Sequence, residues 1–168
     1  MTTTPDERDE VLEKSFRSAM GNVAAAVSVV TTFADGEPMG STVSAFASLS
    51  MEPPMVLVSL DRGSDLLRKL RDTGRFGLNV LAHDQAAIAL RFATKNAGKF
   101  EGVEWTDLDG APRLEGSSGW VSCRVVDLVD GGDHIVVLGG VGAAASTDIP
   151  PLTYHARRFG THSAHPLD

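Results

Sequence analysis

The stretch WVSCRVVDLVDGGDHIVVLGGV, Trp120 to Val141, decides the class of fold. Two runs rich in β-branched residues, Trp120–Leu128 and His134–Val141, flank Asp130-Gly131-Gly132-Asp133, and glycine-containing reversals of this kind join antiparallel strands. The same grammar continues outward. Phe76–Leu81 and Met55–Leu60 read as short buried strands. Ala26–Phe33 and Met39–Ala47 read as a hairpin around Ala34-Asp35-Gly36-Glu37. Helical spacing is confined to Glu7–Met20, to a segment from Ser64 to Gly74 with Leu66, Leu67 and Leu70 on one face, and to a segment capped by Asp84 that ends near Thr94. Lys99–Gly119 reads as loops with short extended pieces. Many strands joined by hairpins, with two or three short helices, predict a mainly β fold, an antiparallel barrel with helices packed outside.

With 168 residues and 42% apolar side chains, the chain suits one packed domain. Its 22 acidic against 15 basic side chains give a net charge of −7, which disfavours a nucleic-acid partner. The single cysteine, Cys123, excludes an intramolecular disulfide and any cluster of thiolate ligands. The longest apolar or glycine run, Ile135–Ala145, is 11 residues, short of a membrane-spanning helix. The start, MTTTPDERDE, lacks the order of a secretory signal. A cytoplasmic protein that meets no membrane is expected, with a domain at 13–160, a flexible N-terminus at 1–12 and a tail at 161–168.

Charge is unevenly spread: residues 62–99 carry eight basic and three acidic side chains, a local balance of +5. Two solvated helices or an anion site would each account for it.

Gly140-Val141-Gly142-Ala143-Ala144-Ala145 matches a dinucleotide fingerprint, but only 23 residues follow it, so it reads as a small-residue strand against a close neighbour. The histidines lack metal-ligand spacing, and no metal is expected. Cys123 alternates with Val121 and Val125 and reads as a small buried hydrophobe. His134 enters a strand directly from the turn, where structural and functional roles weigh evenly. Thr42, Ser44, Ser48 and Ser50 share one phase of an extended chain, so they would line a polar ligand or face solvent.

Eight segments occur in the order of a known family. They are Phe16–Thr32, Gly40-Ser41-Thr42, Ser44–Ser50 with Pro53-Pro54, Phe76–Leu81, Arg91–Lys95, Lys99-Phe100, Gly132-Asp133-His134 and Pro151–Tyr154. The chain resembles the flavin reductase-like family of split-barrel flavoproteins, which includes the reductase partners of two-component flavin monooxygenases. The resemblance implies a split β-barrel that reduces FMN or FAD with NADH or NADPH and hands the reduced flavin to a separate monooxygenase. It implies a homodimer as well. A flavoprotein that keeps its flavin as a redox or binding protein is the alternative. Carried over position by position, the flavin would be held by Gly40, Ser41, Thr42, Val43, Ser44, Phe46, Ala47 and Ser48. Ser59, Leu60, Asp61, Asp65, Leu66, Arg91 and Phe92 would add to them. His134, with Asp133 beside it, and Tyr154 would lie near the nicotinamide. Arg91 is the expected partner of the flavin phosphate, with Lys95 on the same helix.

Overall fold

The computed structural model describes residues 5–165. In chain order its elements are α1 (Pro5–Gly21), β1 (Ala25–Ala26), β2 (Ser28–Ala34), β3 (Glu37–Val43), β4 (Phe46–Met51), β5 (Pro54–Asp61), α2 (Asp65–Thr73), β6 (Arg75–Val80), α3 (Ala86–Ala93), β7 (Trp105–Leu108), β8 (Ala111–Leu114), β9 (Gly119–Gly131), β10 (His134–Ser146), β11 (Leu152–His155) and β12 (Arg158–Thr161). The reversal between β9 and β10 is tighter than expected, only Gly132-Asp133, with Gly132 at φ 71°. That left-handed conformation costs glycine nothing.

Seven strands pair antiparallel in the order β3-β2-β6-β9-β10-β5-β4, with small sheets β1-β11-β12 and β7-β8 alongside. The two outermost strands, β3 and β4, are consecutive in the chain and separated only by Ser44 and Ala45. Three Cα steps from Val43 to Phe46 reach at most about 11 Å. A seven-stranded sheet whose edges lie that close must curl, and the covalent crossing closes it where no ladder does. This is the split barrel. Val30, Val58, Phe76 and Val137 fill one core cluster. Val29, Leu81, Phe92, Leu114 and Leu152 form a second under α3 and the β7–β8 hairpin.

α2 forms as its sequence dictates. Ser64 Oγ accepts from Leu67 N–H at 3.4 Å, and Gly74, at φ 63°, ends the helix by donating to Leu70 O. Its face of Leu66, Leu67 and Leu70 is buried, at about 1.5–3 kcal/mol per side chain.

Four expectations need correction. The stretch Met39–Ala47 is not one strand: pairing with β2 ends at Val43, pairing with β5 begins at Phe46, and a bulge falls between Ser48 and Ser50. The hydroxyls of Thr42, Ser44, Ser48 and Ser50 therefore do not share one face. Asp84 is not the cap of α3; Gln85 stands there, its side chain buried by bonds from Ala82 N–H and to Glu115 O. Lys95 lies beyond the helix that carries Arg91, because Thr94 turns extended and both its N–H and its hydroxyl close on Arg91 O. Finally, α1 runs Pro5–Gly21, starting ahead of the expected Glu7. Residues 1–4 and 166–168 lie outside the described residues, and with them the ends of the expected N-terminus and tail.

Candidate functional site

At the Ser44-Ala45 crossing the backbone leaves one ladder before it joins the next. Both residues are exposed, and Ala45 O is tied down by Ser59 N–H at 2.8 Å. The N–H groups of Ser44 and Ala45 stand outside both ladders. Backbone donors held in place by strands on either side are what a polar heterocycle needs for recognition.

The last residues of β5 and the start of β10 join the crossing. Asp61 pairs with His134, Leu60 with Ile135 and Ser59 with Val136. Beyond Asp61 the chain turns, Gly63 N–H donating to the Asp61 carboxylate and Ser64 N–H to its carbonyl, and α2 begins. Arg62 fastens the hairpin tip, with Nε on Gly132 O at 2.6 Å and Nη2 on Asp130 at 2.7 Å. His134 Nδ1 lies 2.7 Å from Asp133 Oδ1. That hydrogen bond, with the imidazole's charge second, holds the Asp133 carboxyl below the ordinary carboxylate range. The structure thus brings Ser44, Phe46, Ser59, Leu60, Asp61, Asp65, Leu66, Asp133 and His134 to one neighbourhood.

Gly40, Ser41, Thr42 and Val43 run up to the crossing along β3; Gly40 and Thr42 rest on α3, while Val43 packs in the first core cluster. A Cβ on Gly40 would stand 3.0 Å from the Phe92 ring, so only glycine lets strand and helix approach this closely. Thr42 Oγ1 donates to Ala89 O at 2.6 Å. Lys99 Nζ donates to Gly40 O at 3.1 Å and to Phe92 O at 3.0 Å. Burial lowers the Lys99 pKa, with the charge of Asp65 acting against it.

Arg91, by contrast, points elsewhere. Its Nη1 donates to Glu101 O at 2.6 Å, and it lines a cleft with Glu104 and Glu115. Lys95 is exposed, and Tyr154 belongs to the small sheet, paired with Ala25 and packed on Phe159 at 5.2 Å. Three more of the eight basic side chains in 62–99 are engaged at the surface: Arg68 with Asp65, Lys69 with Asp35, and Arg75 with Asp109 O. The solvated-helix reading covers Arg68 and Lys69 on α2, whereas Arg75 stands on β6.

Phe46, Ala47 and Ser48 also form one wall of an open groove of about 460 Å³, whose other wall is Trp120 with Ala144 and Ala145. Its volume and mostly apolar lining suit a flat heterocycle. The fingerprint-like residues Gly140–Ala145 are thus strand, as read from the sequence. A larger cleft of about 700 Å³ between α1 and the β11–β12 turn contains none of the expected site residues. Cys123 is buried, and burial pushes its thiol up to about 12, so it is no nucleophile at neutral pH. Among the described residues no three His, Cys, Asp or Glu side chains gather, and no helix is long and apolar enough to cross a membrane.

The family model of the flavin reductase like domain matches residues 20–163. The chain belongs to that family. It is 39% identical over 145 residues to the reductase component of 4-nitrophenol 4-monooxygenase/4-nitrocatechol 2-monooxygenase from Rhodococcus opacus, covering 86% of this chain and 78% of that one. It also superposes, with a TM-score of 0.89 and 30% identity, on a nitrilotriacetate monooxygenase component B homologue from Mycobacterium thermoresistibile, over 95% of this chain and 93% of that one. The NADH:FAD oxidoreductase of Streptomyces globisporus C-1027, solved with NAD and FAD fragments, is similar at 28% identity and a TM-score of 0.86, over 100% of this chain and 99% of that one.

Sequence reasoning missed Trp120 and Ala144, which share a groove with Phe46–Ser48, and Lys99, which bonds Gly40 O, as neighbours of the segment Gly40–Ser48. The motif Lys99-Phe100 was the available signal for the lysine; nothing in the sequence announced that β9 and β10 return to face β4.

Proposed function

We propose that this protein is an NAD(P)H:flavin oxidoreductase that supplies reduced FMN or FAD to a separate flavin-dependent monooxygenase. The observation that carries the reading is the crossing: backbone donors outside both ladders, beside the ends of β5 and β10, in a chain of this family. A bound flavin supplies hydride acceptance at N5, so the protein is left to bind, orient and stabilise developing negative charge. Hydroxyls and backbone N–H groups suffice for those tasks. The test is oxidation of NADH or NADPH by purified protein with FMN, FAD or riboflavin added one at a time. A folded sample inert with all three would remove the reading.

The proposed flavin contacts are Gly40–Ser44, Phe46–Ser48, Ser59–Asp61, Asp65, Leu66 and Arg91; Phe92, expected among them, is 0% exposed beneath Gly40 and would act through packing. Arg91 decides between two roles. If one edge of its guanidinium reaches the flavin phosphate while the other holds Glu101 O, Arg91→Ala weakens FMN binding about 10- to 150-fold and leaves riboflavin nearly unaffected. Equal weakening of both would restrict Arg91 to the loop that follows α3.

His134 is proposed to position the dihydronicotinamide, its Nδ1 fixed by Asp133 and its Nε2 available. His134→Ala is then expected to lower kcat/KM for NADH roughly 10- to 100-fold with flavin affinity unchanged. If the pair only shapes the turn, the variant instead melts earlier with normal single-turnover flavin reduction.

The reading includes a homodimer. Val11, Leu12, Phe16 and Met20 form an apolar stripe on α1, each between 51% and 67% exposed, and Val126 and Val129 of β9 are exposed at 61% and 44%. Such patches on one chain favour a second copy as cover. A monomer in solution with full flavin affinity would contradict this.

A further inference from the structure

We propose that Lys99 is a positioning residue, whose ammonium fixes the flavin-binding strand β3 against α3 without touching the flavin; this rests on the functional reading above. Three ties hold β3 to α3, and two of them are neutral: the Thr42 hydroxyl on Ala89 O and the Phe92 ring against Gly40. Lys99 is the only charged one. It arrives from a different segment, 59 residues from Gly40 in sequence, and gives one donor to Gly40 O and one to Phe92 O. Phe92 lies in the last turn of α3, where carbonyls lack helical partners and the helix dipole favours a cation. A single ammonium therefore caps the helix, closes the loop 94–98 and anchors the first residue of the flavin segment. Phe100, the next residue, meets Phe92 edge-on at 4.9 Å and keeps the Lys99 backbone near the helix end. Both bonds go to backbone, so the geometry of the strand, and not the chemistry of the ligand, is what Lys99 sets.

The test compares wild type with Lys99→Met and Lys99→Arg in flavin binding, steady-state kinetics and amide hydrogen exchange. Lys99→Met is expected to weaken FMN and riboflavin by the same factor, about tenfold, since charge-assisted bonds are lost. Its kcat at saturating flavin stays unchanged, and exchange quickens at residues 40–42 and 94–99 but not in β9 or β10. Lys99→Arg, which also offers two donors, restores most of both. Much greater loss of FMN than of riboflavin would overturn the proposal by making Lys99 a phosphate ligand; unchanged exchange at 40–42 would overturn it outright. Should Lys99→Met fail to fold, Lys99→Gln, which keeps a donor for one carbonyl, gives the same readouts. Hydrogen exchange needs no flavin, so a wild type that binds none sinks the functional reading while the positioning role is still decided.

Discussion

Phe92→Ala is expected to lower the free energy of unfolding by about 3–5 kcal/mol, the range for truncating a buried aromatic. The ring is 0% exposed, lies edge-on to Phe100 and supports the α-carbon of Gly40. Removing it opens a cavity between α3 and β3 that is hard to collapse, because the Thr42 and Lys99 hydrogen bonds already fix the spacing of the two backbones. Urea denaturation measures the loss. A value under about 1 kcal/mol would mean that the region repacks, contrary to the close fit described. Since the cavity adjoins the proposed flavin segment, flavin affinity should fall even at temperatures where the variant is fully folded.

Asn79→Leu is the second large effect, about 2–4 kcal/mol by the same measurement. Asn79 is fully buried in β6, yet it connects three elements: its amide donates towards Val29 O, Thr31 Oγ1 and Pro112 O, and its carbonyl accepts from Leu114 N–H at 2.8 Å. Leucine keeps the branched outline, is bulkier, and removes both functions. The Leu114 N–H is then stranded in the core, which costs about 1–3 kcal/mol by itself. Asn79→Asp keeps the acceptor but buries a charge, so it should be no better tolerated. A near-neutral result for leucine would require water to enter between β6 and β8.

These two residues mark the boundary of what the sequence makes legible. Strands with β-branched runs and the helix between Ser64 and Gly74 could be read because local propensity and local burial agree. The break at Ser44-Ala45 could not: its hydroxyls alternate as in one strand, and only the meeting of two distant sheet edges forces the chain to leave one ladder. The same holds for Asp84, a good cap by type that lost to Gln85, whose longer side chain reaches Ala82 and Glu115. Asn79 sits in a motif read only as strand, since a buried asparagine shows its purpose only when its partners, up to 50 residues away, are known. For the candidate site, the family's motifs pointed to residues that the structure gathers at the crossing, while the direction of the Arg91 side chain, which sequence does not carry, ties it to Glu101 O.

Seven strands and their ladders would survive a cut between Ser44 and Ala45, yet the barrel's curvature would not be enforced. Those two residues act as the clasp of a bracelet: they contribute little to the strength of the links but set the circumference. Loop entropy changes slowly with length, by about 0.6 kcal/mol per doubling. A longer clasp would therefore scarcely alter the melting temperature while widening the ring on which the proposed flavin segment is mounted. Width of the ring and stability of the fold are thereby separable here, since residues inserted at this single point would change the one with little effect on the other.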